Sequence, residues 1–168
     1  MQSIRRIVTG HDANGRAVVV SDALLEGRTN PAGTVGFTQL WTTSGHPIDN
    51  DDPMDGGDRS SGLTVAGGSS LRIVELAPAA RTPMHRTSSL DYGIVLSGVV
   101  DLTDDVSVTR VEQGDIVVKR GTMHGWSNPS ADTPARIAFV LLDAIPATVD
   151  GVRLLEILPG AAPASNQT

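Results

Sequence analysis

The fold is decided by the stretch His85-Arg86-Thr87-Ser88-Ser89-Leu90-Asp91-Tyr92-Gly93-Ile94-Val95-Leu96-Ser97-Gly98. Asp91 to Leu96 is rich in β-branched and aliphatic side chains, and Ser97-Gly98 closes it with residues that favour a turn. Successive residues of a strand point to opposite faces, so His85 and Thr87 share one face. Outward from this segment the same grammar repeats. Leu71 to Leu76, Met84 to Thr87, Val99 to Leu102, Ser107 to Val111, Asp115 to Val118, Gly125 to Asn128 and Arg136 to Leu142 all read as short strands. Asp104-Asp105, Gln113-Gly114-Asp115 and Arg120-Gly121 mark turns between them. Eight short strands in so little chain predict a closed barrel or jelly roll, because closure removes the exposed edges of an open sheet.

A second segment carries the other half of the pattern. Gly114 to Met123 leads to His124, and Asn128 follows four residues later. Together the two segments resemble the paired motifs of the cupin superfamily. His85 matches the first histidine of that pattern, Thr87 stands where a second would be, and Asp91 replaces the glutamate. Gly98 matches the closing glycine, and Gly121, His124 and Asn128 match the second motif, with Lys119 and Arg120 in its proline region. The resemblance spans residues 70–143. It implies an all-β, double-stranded β-helix, the cupin jelly-roll barrel. The segment from Pro83 to Gly93 is also similar to small single-domain cupins of bacteria and fungi.

Upstream, Ile4 to Thr9 and Arg16 to Ser21 predict an N-terminal β-hairpin turning at Asp12-Ala13-Asn14-Gly15. Gly36 to Thr43 is the next expected strand. The chain is thus read as one domain over 1–168, with N-terminal strands in 1–43, a long loop in 44–70, the barrel motifs in 71–143, and a C-terminal extension and tail in 144–168. The long loop is rich in Gly, Asp, Ser and Pro, and is read either as a lid over the barrel mouth or as a mobile excursion. Val152 to Leu158 is expected to form a strand or helical turn, and the residues after Gly160 a frayed tail.

Composition narrows the function. The formal net charge is −6, from 19 acidic and 13 basic residues, which argues against a phosphate-tracking nucleic-acid binder. No apolar run has the length of a membrane span, and Arg5 and Arg6 precede no signal-like apolar segment, so a cytoplasmic protein without membrane attachment is expected. Without cysteine there are neither disulfides nor thiolate metal sites.

The candidate site is His85, Asp91 and His124. Two imidazoles and a carboxylate facing one interior suit a divalent metal, with Fe, Mn, Zn or Ni as candidates, and the same groups suit metal-free acid–base work. A neutral hydroxyl at Thr87 removes one strong donor from the family's ligand set. Trp126, Trp41, Thr87, Tyr92 and His46 are the candidate substrate contacts; with two tryptophans, one tyrosine and two phenylalanines in the chain, aromatic placement is informative. His11 is expected to have no catalytic role, and Lys119 and Arg120 to be solvated or to stand at the mouth. The leading expectation is a lyase- or isomerase-type reaction (decarboxylation, dehydration or proton shift) on a small carboxylate-, carbonyl- or phenol-bearing substrate. A metal-dependent dioxygenase using His85, Asp91 and His124 is one alternative and a non-catalytic small-ligand binder the other. A homodimer is expected.

Overall fold

The computed structural model describes residues 1–159, and within them every regular element is a strand. The tail expected after Gly160 lies outside the described residues. An N-terminal hairpin pairs β1 (Ile4–His11) with β2 (Ala17–Leu25) around a turn whose Gly15 takes a positive φ of 74°. Next come β3 (Arg28–Thr29), two residues long and not anticipated from sequence, and β4 (Val35–Thr43). No strand occurs between Thr43 and Ser69, in keeping with a long loop there. The barrel strands are β5 (Ser69–Leu76), β6 (Ser89–Ser97), β7 (Val99–Thr103), β8 (Val108–Glu112), β9 (Ile116–Arg120), β10 (Gly125–Ser127) and β11 (Ala135–Asp143). A short hairpin, β12 (Thr148–Val149) with β13 (Val152–Arg153), replaces the single C-terminal stretch expected over 152–158.

Two sheets face each other. The larger runs β3-β4-β5-β11-β6-β9 and the smaller β10-β7-β8. Alternation decides what lies between them. In β5, Ser70, Arg72, Val74 and Leu76 point inward, and in β6 Ser89, Asp91, Gly93 and Val95 do. Leu76, Val95, Val100, Ala135 and Ile137 are almost wholly sealed from solvent and close one end of the interior. Burying side chains of this size stabilises the fold by about 1.5–3 kcal/mol for each large one. Trp126 packs edge-on against Phe139, with ring centroids 5.4 Å apart, and forms the boundary between that core and the polar end. The segment Met84–Thr87, expected to be a strand, is held by isolated bridges instead: His85 to His124 and Arg86 to Ile157. No helix of the described residues is long and apolar enough to cross a membrane.

Candidate functional site

The polar end of the interior is built by register. Asp91 in β6 lies directly opposite Lys119 in β9, so both side chains project from the same face of adjacent strands. His85 and His124 form their own bridge, with His85 N–H donating to His124 O at 2.8 Å and His124 N–H to His85 O at 2.9 Å. Their imidazole centroids are 4.3 Å apart. These four side chains meet at one end of a cavity of about 270 Å³ whose other walls include Val74, Trp126, Ile137, Phe139 and Leu141.

The hydrogen bonds fix each group's role. Lys119 Nζ donates to Asp91 Oδ2 at 2.6 Å and to His124 Nε2 at 2.6 Å. His124 Nε2 must then be an acceptor, so its proton is on Nδ1 and is donated to Thr122 O at 2.9 Å. His85 has the same tautomer, because Nδ1 stands 3.0 Å from Pro83 O, a group that can only accept. Its Nε2 makes no hydrogen bond among the described residues, so an imidazole lone pair is left for the cavity. Ser89 Oγ lies 2.5 Å from Asp91 Oδ1 and 2.8 Å from Thr87 Oγ1. A hydroxyl has one proton, so Ser89 donates to the Asp91 carboxylate or to Thr87 Oγ1, one at a time. The result is a continuous polar chain, from Thr87 through Ser89, Asp91 and Lys119 to His124.

Electrostatics agrees with these tautomers. Burial lowers the pKa of His124 to about 3, assisted by the neighbouring Lys119 charge. His85 is also lowered, first by burial, with the carbonyl of Pro83 opposing. Both rings are neutral at pH 7. Burial pulls Lys119 below the ordinary lysine value while Asp91 pulls it back up. An ammonium in a poorly hydrated site needs such a partner, since desolvating an isolated charge is far more costly than pairing it.

A family model described as "Cupin domain" matches residues 72–141, the segment that supplies all of these groups. The chain is 38% identical over 165 residues to the "Phomopsin biosynthesis cluster protein C'" of Diaporthe leptostromiformis, covering 90% of this chain and 84% of the relative. It is 33% identical to the "Cupin-domain-containing oxidoreductase fogC" of Aspergillus ruber, covering 92% and 79%. The chain belongs to the cupin family. The fold of this cupin is also that of the solved Cnp3 cupin domain of Schizosaccharomyces pombe, at TM-score 0.51 and 13% identity over 85% of this chain and 88% of that one.

Set against the family pattern, the cupin's site departs where a metal would be held. A divalent ion needs several donors with open lone pairs converging on one point. Here Asp91 Oδ2 and His124 Nε2 converge on the Lys119 ammonium instead, and His85 alone keeps an unclaimed nitrogen. No group of three or more metal-ligating side chains converges among the described residues. The expected ligand set of His85, Asp91 and His124 therefore does not fit a divalent metal: a fixed positive charge stands between two of its three members.

The other candidates separate cleanly. Trp126 and Thr87 line the cavity with His85 and His124. Trp41 does not. A β-bulge in β4 sets Trp41 opposite Leu71, on the outer face of the sheet, where an unshifted register would pair it with the inward Ser70. There Arg6 stacks over its ring, and the side chain borders a separate hollow beneath the N-terminal hairpin. Tyr92 follows an inward Asp91 and so points outward. His46 borders a shallow hollow with Gly67, Ser69 and Asp143, remote from the barrel interior. Lys119 reverses the sequence expectation: it is 6% exposed and lies at the centre of the site. Ending the strand at Val118 left Lys119 outside it; the signal for its true place was parity, because continuing the strand to Arg120 makes Val117 and Lys119 inward. Arg72 was also passed over, although a single arginine inside an apolar strand at an inward position is an equally readable sign.

Proposed function

We propose that this cupin catalyses metal-independent proton transfer on a small carbonyl compound with an apolar body, an isomerase- or lyase-type reaction. The observation that carries this reading is the free Nε2 of neutral His85 beside the Lys119 ammonium, at the end of a largely apolar cavity. His85 is the base: it takes a proton from the carbon next to the carbonyl. Two of the three N–H groups of Lys119 are held by Asp91 and His124, and the third is available to the carbonyl oxygen, where negative charge develops. Asp91, buttressed by Ser89 and Thr87, holds the ammonium in place and charged. His124 orients it through Nε2. Return of the proton to a different atom completes a tautomerisation; departure of a β-hydroxyl from the same enolate, protonated to water as it leaves, gives dehydration, whereas decarboxylation of a β-keto acid forms that enolate directly as its C–C bond breaks, with Lys119 again holding the oxygen.

The names of the relatives favour a second reading. Four relatives are called cupin-domain-containing oxidoreductases and others biosynthesis cluster proteins, names that support a redox role in small-molecule metabolism. Redox turnover requires an electron acceptor and consumes it stoichiometrically, whereas proton transfer consumes none.

Solvent deuterium exchange tests the leading reading. Phenylpyruvate and the neutral ketone benzylacetone are each incubated with the protein in D₂O, and loss of the proton signal next to the carbonyl is followed by NMR. Wild type is expected to accelerate exchange and His85→Gln to lose the acceleration. Exchange at the uncatalysed rate with both compounds, together with oxygen uptake, would replace this reading by the redox one.

A further inference from the structure

The proton-transfer groups do not account for Arg72. Its side chain points inward from β5, is 8% exposed, and lines the same cavity as His85, Lys119 and Asp91. Three of its contacts are made by one nitrogen: Nη2 donates to Ser70 Oγ at 2.8 Å, to Gly62 O at 3.2 Å, and to Leu63 O. Nε lies 3.3 Å from the same Ser70 Oγ. Nη1 makes no hydrogen bond among the described residues, and it is not one of the sealed, unpartnered side-chain nitrogens, which are the Nε atoms of Arg6, Arg59, Arg86 and Arg136. It therefore keeps open surface, and a guanidinium keeps its charge at any ordinary pH.

The charges around the cavity point the same way. The chain as a whole is acidic, at −6, yet the cavity is lined by Arg72, Arg81 at its exposed rim, and Lys119, against a single acidic group, Asp91. Asp91 is hydrogen-bonded to Lys119 and acts on Arg72 only through space, so the single acid of the lining serves two buried cations and leaves an excess of positive charge. An apolar chamber that buries an excess of positive charge is completed by an anion, and a guanidinium with donors free suits a carboxylate better than a neutral carbonyl.

We infer that Arg72 Nη1 is the anchor for a substrate carboxylate, so that the natural substrate is an organic acid with an apolar body and the carboxylate is held away from the reacting carbon. This rests on the cavity being the substrate site, as proposed above, but not on the chemistry performed there. Because the same guanidinium holds the carbonyls of Gly62 and Leu63, and Leu63 lines the cavity, anion binding is also tied to the position of the long loop.

The test is equilibrium binding, so that it can fail without touching the proton-transfer reading and the reverse. The probes are benzoate, cinnamate and 2-naphthoate and their primary amides, measured by quenching of Trp126 in a Trp41→Phe background. Wild type is expected to bind at least one acid about ten-fold or more tightly than its amide. Arg72→Met should remove that preference while changing amide affinity less than two-fold, and Arg72→Lys should restore part of it. If Arg72→Met does not fold, Arg72→Lys decides: it should keep only part of the wild-type preference, and an undiminished preference would overturn the assignment by giving the carboxylate to Arg81 or Lys119. Equal affinity of wild type for acids and amides, no binding of any acid, or a loss in Arg72→Met shared equally by acids and amides would each overturn the assignment, the last by making Arg72 only a support for the loop.

Discussion

Lys119 Nζ lies 2.6 Å from both Asp91 Oδ2 and His124 Nε2, so one ammonium joins two groups that the family pattern would give to a metal. The pairing is imposed by the β6–β9 register, in which residues 91 and 119 are directly opposed. With side chains 6% and 2% exposed, the pair is desolvated on both sides. Removing one partner of such a pair strands the other charge.

Lys119→Met should accordingly destabilise the protein by about 3–5 kcal/mol in urea unfolding. Adding Asp91→Leu should recover most of that loss, because a buried ion pair replaced by apolar groups is often neutral. A double variant no more stable than the single one would show that Asp91 is not what Lys119 compensates.

His85→Gln is expected to lower proton-exchange rates by about 10²- to 10⁴-fold, the usual contribution of a positioned base. The far-ultraviolet spectrum should be unchanged. Since the base must be neutral, activity falls as pH drops through the pKa of His85, which burial sets below the ordinary histidine value. An acid limb above 6.5 would place the essential base elsewhere.

Stability should fall as pH drops below the ordinary histidine range. In the unfolded chain a histidine takes up its proton near pH 6.5, whereas His124 in the fold does so only at about 3. The unfolded state thus binds more protons between those values, and stability declines as pH drops through that window, at up to about 1.4 kcal/mol per pH unit per histidine. His85 adds in the same direction. Denaturant midpoints measured from pH 7 to 4.5 should show the decline, and His124→Gln should flatten it.

Gly98 closes the first motif with φ at 76°, and a Cβ there would stand 2.9 Å from Pro134 O and from Ala135 Cα. Gly98→Ala combines a left-handed backbone with a steric clash against main chain, so a loss of about 1–3 kcal/mol is expected. Gly114→Ala is the control: its φ is also positive, but nothing lies within 4 Å of the added carbon. Equal losses at both sites would attribute the effect to φ alone.

The barrel was legible because its evidence is local. Alternating aliphatic residues, turn residues at intervals and the spacing of His85, Asp91, Gly98, Gly121 and His124 survive in one dimension. What escaped depends on pairing between distant strands. Nothing near Trp41 announces the bulge that turns it outward, and nothing near Lys119 announces Asp91 across the ladder. The two histidines were placed together by motif, but their tautomers follow from the carbonyls of Pro83 and Thr122, which only the folded backbone brings into range. The charge of the cavity was hidden for the same reason: Arg72 and Lys119 sit in separate strands and come to line one cavity only when the barrel closes.

The most direct test is proton exchange by protein freed of metal. Chelator-treated protein, verified by elemental analysis, is compared with the same sample supplied with Fe(II), Mn(II), Zn(II) or Ni(II), using phenylpyruvate and benzylacetone in D₂O. The account predicts full exchange activity without metal, no stimulation by any of the four ions, and loss in His85→Gln. Exchange that vanishes on chelation and returns with one ion would contradict it, and would mean that Lys119 gives up His124 and Asp91 to a metal.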